Sequence, residues 1–278
     1  MDRELVLAGL VVTAVGLTLF AAGPWPRRVE PSASARQWER ASWRALWRPM
    51  VPAVVVVSIL LGWALVEPDQ SDEWLPSSVL IVSGLFMGVW LRAAIRAGVA
   101  LQERHPHVAG TVGLWRARIV LSDDLMRGLD ADALDAARAH EAAHVRHRDP
   151  LRIWLAQVVT DLQWPWPAAR RRFDRWRHVL ELARDEEARL SGVDGADLAA
   201  AIVLAARLHT SRATGATLIE SRVGLQERID RLLEPVPTGD IPVATTGTLA
   251  LVPVSLLGVL SGVRFGEGLV QLIVKSLP

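Results

Sequence analysis

The sequence contains no cysteine and no tyrosine among its 278 residues. Without cysteine, neither a disulfide framework nor a thiolate metal ligand can form, so any metal site has to be built from histidine, aspartate and glutamate. The absence of cysteine also agrees with a functional domain in the cytosol. The chain has almost no net charge either, +1 at pH 7. This balance argues against a nucleic-acid-binding surface, which needs a strong basic excess.

Apolar residues are abundant, at 51% of the chain, and the mean hydropathy is +0.24. A soluble domain of this size usually has a negative value, so the composition predicts membrane segments. A helical span needs about 20 apolar residues. Four stretches qualify. The third is short, but the side chain of Arg92, which follows it, can reach the membrane interface and so lengthen the span. The four stretches are Leu5–Ala22, Met50–Val66, Ser77–Leu91 and Ile241–Val263.

The first stretch has an alternative interpretation as a signal peptide, because Ala21-Ala22-Gly23 resembles a small-residue cleavage site. The leader Met1–Glu4, however, carries no positive excess, and the arginines follow the apolar run instead of preceding it. The order of charges therefore favours a retained span.

The charges of the loops predict an orientation. The loop between the first two stretches carries six arginines against two glutamates, and the next loop carries four acidic residues and no basic one. The positive-inside rule places the first loop in the cytoplasm and the second outside. Both termini are then external, and the region from Arg92 to Asp240 is cytoplasmic. Four tryptophans lie near predicted span ends, where interfacial anchors are found: Trp25, Trp43, Trp47 and Trp74.

Between the third and fourth stretches the sequence changes character. The segment "TVGLWRARIVLSDDLM" (111–126) has the β-branched residues of a strand or hairpin. A helix is predicted from the N-cap residue Asp130 to Pro150, where it should end or kink. Leu151–Trp166 is too polar for a free span, so it predicts a helix buried against the bundle or lying at the membrane interface. Three further helices are expected, the first over 168–190.

The predicted helix before Pro150 contains the pattern His140-Glu141-Ala142-Ala143-His144. Residues four apart on a helix share a face, so both imidazoles can bind one ion, and neutral imidazole suits zinc. Glu141 lies about 100° round the helix, from where its carboxylate can reach a metal-bound water. There it can act as the general base of peptide hydrolysis. The alternative is a solvated helix with incidental histidines.

A catalytic zinc site needs a third protein ligand. Glu181 and Asp185 lie one turn apart on the predicted helix 168–190. Glu181 is the candidate ligand, and Asp185 is the candidate acceptor that orients a ligand histidine through a hydrogen bond. An exposed acidic stripe is the alternative, since Glu186 and Glu187 adjoin the pair. Together with the upstream histidines, the pair favours a site for one Zn²⁺ per chain.

Three other features carry weaker predictions. His147 is expected to be an exposed residue at a helix end. His178 is a candidate for stabilising an oxyanion or for a surface role. The strand around Ile119–Leu121 can offer an edge to an extended substrate or belong to the core.

These segments resemble the BlaR/MecR-type membrane zinc peptidases over nearly the whole chain. The matching order is "GLWRARIVLSDDLM", "HEAAHVRHRD", "WPWP", "ELARDEEA" and "LQERIDRLLEP". The resemblance implies an integral membrane protein, mainly α, with four transmembrane helices and a gluzincin-like α+β zinc peptidase domain inserted between the third and fourth spans. It implies zinc ligation by His140, His144 and Glu181, catalysis by Glu141 and a supporting role for Asp185.

The domain organisation expected on this basis has three parts. Residues 1–98 hold three spans, 99–240 form the cytoplasmic peptidase domain, and 241–278 form the fourth span and a short tail. The β-lactam sensors of the family continue after the fourth span into an external penicillin-binding domain. Since the chain ends fifteen residues after Val263, direct antibiotic sensing is not expected.

The implied function is an endopeptidase that cleaves a cytoplasmic transcriptional repressor of winged-helix type. Its expected partners are this protein substrate and the lipid bilayer, without direct nucleic-acid binding. One alternative is a membrane-protein quality-control protease of the HtpX type, which carries the same two motifs. Another is a non-catalytic scaffold or metal sensor, but the intact Glu141 argues against it because zinc binding does not require the base.

Overall fold

A computed structural model describes residues 3–24, 34–66, 77–102, 108–210, 218–235 and 255–263. Within these ranges the fold is mainly helical, with one short sheet. The elements are α1 (Arg3–Ala22), α2 (Ala35–Trp47), α3 (Met50–Val66), α4 (Ser77–Gln102), β1 (Ala109–Val112), β2 (Arg118–Leu121), α5 (Asp123–Gly128), α6 (Ala131–Arg146), α7 (Asp149–Leu162), α8 (Pro167–Leu190), α9 (Gly195–Thr210), α10 (Leu218–Leu233) and α11 (255–263). Predicted features outside the described residues are Trp25, Trp74, the acidic loop 67–73 and residues 241–254 of the fourth stretch.

Among the described residues, α4 is the helix whose length and composition suit a bilayer span by itself, over Ser77–Leu101. The α2 and α3 helices meet the same test jointly, across a bend of 44°, while the apolar part of α1, Leu7–Ala22, is shorter. The four-span arrangement therefore stays a prediction.

The α4 helix is longer than the predicted third stretch, which ended at Leu91. It continues to Gln102, and Arg92 and Arg96 within this continuation are paired with a carboxylate of the protein. Their guanidinium groups lie 3.5 and 2.9 Å from the carboxylate of Asp161 on α7, which is buried. These ion pairs fasten α7 to the end of α4.

The α1 helix packs against α3 and α4. Apolar side chains from the three helices form a buried cluster of Leu10, Leu60, Trp63 and Val79. The polar groups between α1 and α4 are paired: Thr13 Oγ1 lies 2.7 Å from Ser83 Oγ, and Ser83 donates to the Gly9 carbonyl at 2.9 Å. Such pairing is needed because an unpaired buried hydroxyl costs free energy.

The α11 helix lies directly against α3. A Cβ atom at Gly262 would be 1.9 Å from the Ile59 carbonyl oxygen, and one at Gly258 would be 2.7 Å from Ser58 Cβ. Only glycine permits this approach of two backbones, and the spacing of four residues is typical of closely packed apolar helices. The described end of the predicted fourth stretch is thus a helix packed on the second.

The α2 helix lies on α8. Ala35 and Trp38 of α2 share a buried cluster with Val179, Leu182 and Ala183 of α8. At the start of α2, the Glu186 carboxylate of α8 accepts hydrogen bonds from Ser34 Oγ and from the Ala35 amide, and it pairs with Arg36 Nε at 3.2 Å. A carboxylate is favourable there because the N-terminus of a helix is electropositive.

The hairpin and the start of α6 follow the sequence prediction, but the short helix α5 was not predicted and α6 ends at Arg146 instead of at Pro150. The β1 and β2 strands pair antiparallel, with Thr111 opposite Ile119. The Asp130 carboxylate accepts a hydrogen bond from the Ala133 amide at 2.9 Å and begins α6, as an N-cap does. The chain then reverses at Arg148, whose φ of 53° is left-handed, and Pro150 lies in the first turn of α7.

Candidate metal centre

The α6 and α8 helices bring two imidazoles and a carboxylate together. His140 Nε2 and His144 Nε2 lie 3.1 Å apart. Glu181 Oε2 lies 3.5 Å from the first and 3.7 Å from the second. Four ligands at tetrahedral positions around zinc, each about 2.0–2.1 Å from it, are about 3.3 Å from one another. The three atoms are therefore spaced as three corners of a zinc-sized tetrahedron.

The surroundings of the three side chains also fit a metal centre. His140 and His144 are 7% and 8% exposed, and Glu181 is partly buried between them and α10. Two imidazole nitrogens and one carboxylate oxygen form the donor set of many catalytic zinc sites, which leave the fourth position open. The donor set and its spacing thus fit Zn²⁺.

Each histidine has a carboxylate at its other ring nitrogen. His144 Nδ1 lies 2.9 Å from Asp149 Oδ2 in a hydrogen bond. His140 Nδ1 lies 2.9 Å from Asp185 Oδ1, close enough for a strong electrostatic contact although the angle is not that of a hydrogen bond. Carboxylates in these positions fix the tautomer that presents Nε2 to a metal. Asp185 thus lies beside a histidine, where sequence analysis expected it to act, and Asp149 was not singled out.

Asp149 has no exposed surface. Arg184 of α8 donates to both of its carboxylate oxygens, at 2.9 Å in the case of Nη2. Burial alone would raise the pKa of Asp149, but the bonds to His144 and Arg184 hold the pKa well below its usual range. The local sequence gave no signal for this residue because the contact depends on the left-handed turn at Arg148, which returns Asp149 to His144.

Arg228 of α10 is a second residue that sequence analysis missed. Its Nε and Nη2 atoms donate to the two oxygens of Asp185 at 2.7 and 2.8 Å, and its Nη1 lies 3.3 Å from Glu181 Oε2. Such a forked pair gives directional as well as electrostatic stabilisation. Nothing in the local sequence distinguishes Arg228 from Arg231, since the partners of Arg228 are on another helix.

Glu141 is buried beside the metal group and is held by the hairpin. Thr111 Oγ1 of β1 donates a hydrogen bond to Glu141 Oε2 at 2.9 Å. The hairpin therefore fixes the orientation of the predicted general base, a role of β1 that the sequence did not indicate.

The two remaining histidines of the prediction are paired with carboxylates. His147, at the end of α6, is exposed and lies 2.7 Å from Glu187 Oε2. His178 lies 2.7 Å from Glu227 Oε2 of α10. The expectation of an exposed helix-end residue at His147 is confirmed.

The β2 strand borders an open apolar groove of about 560 Å³. No residue of β2 is buried, so the alternative that this strand belongs to the core is wrong. Ala139 and Ala142 also line the groove. By helical geometry they point away from the face that carries His140 and His144, so the groove lies behind the metal centre.

The electrostatics of the site are those of histidines among carboxylates. Burial lowers the pKa of His144, but the charge of Glu181 and the bond to Asp149 outweigh it and raise the pKa to about 10. Burial also lowers the pKa of His140, but the neighbouring carboxylates of Asp185 and Glu181 outweigh it and raise the pKa. Burial would raise the pKa of Glu181, yet the charge of His144 lowers it. Without a metal, protons on the imidazoles supply the positive charge.

These shifts predict opposite pH dependences for metal binding and for metal-free stability. Because a metal has to displace protons from His140 and His144, we expect the apparent Zn²⁺ affinity to rise between about pH 6 and pH 9, by up to about tenfold per pH unit for each proton displaced. In the metal-free protein, the folded pKa of His144 is about 10 against 6.5 unperturbed. Its stabilising contribution is therefore complete below pH 6.5 and is lost as the pH rises towards 10.

Calorimetric zinc titrations and thermal unfolding across this pH range measure the two effects. The double variant His140→Ala/His144→Ala is the control and should show neither. A parent protein whose zinc affinity does not change with pH would contradict the prediction.

Comparison with known proteins identifies the region that holds the site. Residues 104–230 match the family model described as BlaR1 peptidase M56. No curated protein and no solved structure matches the chain. The matched region begins before the hairpin and includes both motifs and Arg228, and the match confirms the resemblance to the BlaR/MecR-type peptidases. Residues 104–230 are thus similar to the BlaR1 peptidase M56 family.

Proposed function

We propose that this protein is a membrane-embedded zinc endopeptidase whose active site lies on the cytoplasmic side. The observation that carries the proposal is the meeting of His140 Nε2, His144 Nε2 and Glu181 Oε2 within 3.1–3.7 Å of one another. It supports the metallopeptidase activity that the family match suggests. When bound at such a site, zinc activates a water molecule and polarises the scissile carbonyl.

In this proposal Glu141 is the general base. Its carboxylate lies one residue from His140 on α6, and the bond from Thr111 occupies Oε2. The other oxygen, Oε1, is the one we assign to taking a proton from the attacking water and passing it to the leaving amine. A scaffold that only binds metal has no need of a carboxylate held in this way.

Two contacts support the proposed side and depth of the active site. The α2 helix, which belongs to the arginine-rich first loop, packs on α8 of the peptidase region, so both have to lie on one side of the membrane. The positive-inside rule predicts that this side is the cytoplasm. The α7 helix is fastened to the end of α4 through Asp161 and through the bond from Trp154 Nε1 to the Ala97 carbonyl, which keeps the site near the bilayer.

We further propose that the substrate is a soluble transcriptional repressor, cleaved in a signalling pathway. The support is the resemblance to the BlaR/MecR-type peptidases, which are antirepressor proteases, together with the cytoplasmic side proposed for the site. Turnover of damaged membrane proteins is the competing substrate class.

The first prediction from the proposed function separates metal binding from catalysis. His144→Ala should lose the metal because it removes one of three ligands, whereas Glu141→Gln should keep about one Zn²⁺ per chain and lose proteolysis by about 10²–10⁴-fold. Metal analysis of the purified protein and peptide cleavage assays provide the two readouts. Glu234→Gln, an exposed glutamate at the end of α10, is the matched control and should change neither. Full zinc content in His144→Ala would refute the ligand assignment.

The second prediction concerns membrane topology. Reporter fusions at Arg36 and Leu190 should report the cytoplasm, and fusions at Asp72 should report the exterior. The reason is that the loop before the second stretch carries six arginines, whereas the loop after it carries four acidic residues and no basic one. An export-dependent reporter that is active at Leu190 would place the chemistry outside the cell.

The third prediction concerns the substrate. Quantitative proteomics of cells that carry the parent protein or Glu141→Gln should show one DNA-binding protein accumulating intact in the variant. Broad accumulation of misfolded membrane proteins would instead favour a quality-control protease.

A further inference from the structure

The α2 helix extends a buried carboxylate towards the metal centre. Glu39 is 6% exposed and points from α2 to the interface of α7 and α8. Its Oε1 atom accepts a hydrogen bond from Trp176 Nε1 at 2.9 Å and another from Arg152 Nη2. A buried carboxylate is costly unless it is paired in this way, so Glu39 links α2 to one particular arginine.

That arginine contacts Glu39 and Asp149 at once. Arg152 Nη1 donates to Asp149 Oδ1 at 3.1 Å, while its Nη2 bonds Glu39. The guanidinium also lies over the rings of Trp43 and Trp176, 4.7 and 5.6 Å from their centroids. The planar fork of arginine holds two carboxylates in fixed directions while it stacks on aromatic rings, a geometry that the compact ammonium of lysine does not reproduce.

The contacts form a chain that ends at a candidate metal ligand. Glu39 holds Arg152, Arg152 holds Asp149, and Asp149 holds Nδ1 of His144 at 2.9 Å. Arg184 anchors Asp149 independently from α8. Asp149 is thus fixed by Arg152 of α7 and Arg184 of α8. Among the residues that the structure describes, Arg152 is the one that connects it to α2.

We propose that Glu39 and Arg152 are positioning residues for the metal centre, which orient the His144 imidazole through Asp149. Because α2 is joined to the apolar helix α3 across a bend of 44°, they make the geometry of the site depend on how α2 is docked. The inference rests on the proposed zinc function, and it adds to that function a route by which a movement of the apolar helices reaches a metal ligand.

A merely structural role for the two residues makes a different prediction. If Glu39 only neutralised a buried arginine, its loss would lower the unfolding temperature of the metal-free protein and leave the metal affinity of the folded protein unchanged. A positioning role changes the affinity itself, because a ligand imidazole that is no longer oriented binds the metal less well.

The experiment compares Glu39→Gln and Arg152→Lys with the control Glu186→Gln in the full-length protein. Glu186 also fastens α2 to α8, through Ser34, Ala35 and Arg36. Within the described part of the chain, no contact of its carboxylate leads to Asp149. The Arg152→Lys variant retains the charge and carries the test if Glu39→Gln does not fold. The readouts are Zn²⁺ affinity by competition with a chelating dye, the absorption spectrum of bound Co²⁺, and metal-free thermal unfolding.

Loss of a direct hydrogen-bond partner of a ligand histidine costs about 10–100-fold in metal affinity. Arg152 and Glu39 act on His144 only through Asp149, so we expect their variants to weaken Zn²⁺ binding less, by about threefold to tenfold. The Co²⁺ spectrum should change with them, and Glu186→Gln should retain the parent affinity and spectrum. Parent-like affinity and spectrum in both test variants would overturn the inference while leaving the zinc function intact. A parent protein that binds no metal would overturn the proposed function, and the inference with it.

Discussion

The carboxylate of Asp149 lies where three helices of the peptidase region meet. Asp149 is the first residue of α7, and its carboxylate binds His144 of α6 and accepts two hydrogen bonds from Arg184 of α8. A buried charge of this kind is stable only when its partners remain in place, so the three helices are held at fixed relative positions. His140 and His144 of α6 face Glu181 of α8 because the helices are held in these positions.

The candidate metal centre has an inner layer of possible metal ligands and an outer layer of residues that hold them. The inner layer of His140, His144 and Glu181 supplies donor atoms at a spacing that fits zinc. The outer layer of Asp149, Asp185 and Arg228 surrounds it with fixed charges, which orient the imidazoles and stabilise the ionised form of Glu181. Because the outer layer is rigid, the side chains of His140, His144 and Glu181 need to rearrange little to bind a metal.

The α7 helix has contacts near both of its ends with helices outside the matched region. The apolar helix α4 holds α7 through Asp161, close to the C-terminal end of α7, and α2, which leads into the apolar helix α3, approaches the N-terminal end through Glu39. The α7 helix also contacts a candidate ligand through Asp149. Such a helix is suited to relay movements, because a packed helix shifts as a unit.

The sequence by itself determined the local elements and the inner layer. His140 and His144, like Glu181 and Asp185, share a helix face because of helical periodicity alone. The N-cap at Asp130 and the place of Pro150 in the first turn of α7 depend only on neighbouring residues. Tertiary structure alone decided the partners of Glu141, Asp149 and Asp185, because Thr111, Arg184 and Arg228 lie on separate elements. Long-range ion pairs have no periodicity along the chain. Asp149 and Arg228 of the outer layer were therefore visible only once the helices were packed, whereas Asp185 could be predicted from its spacing to Glu181.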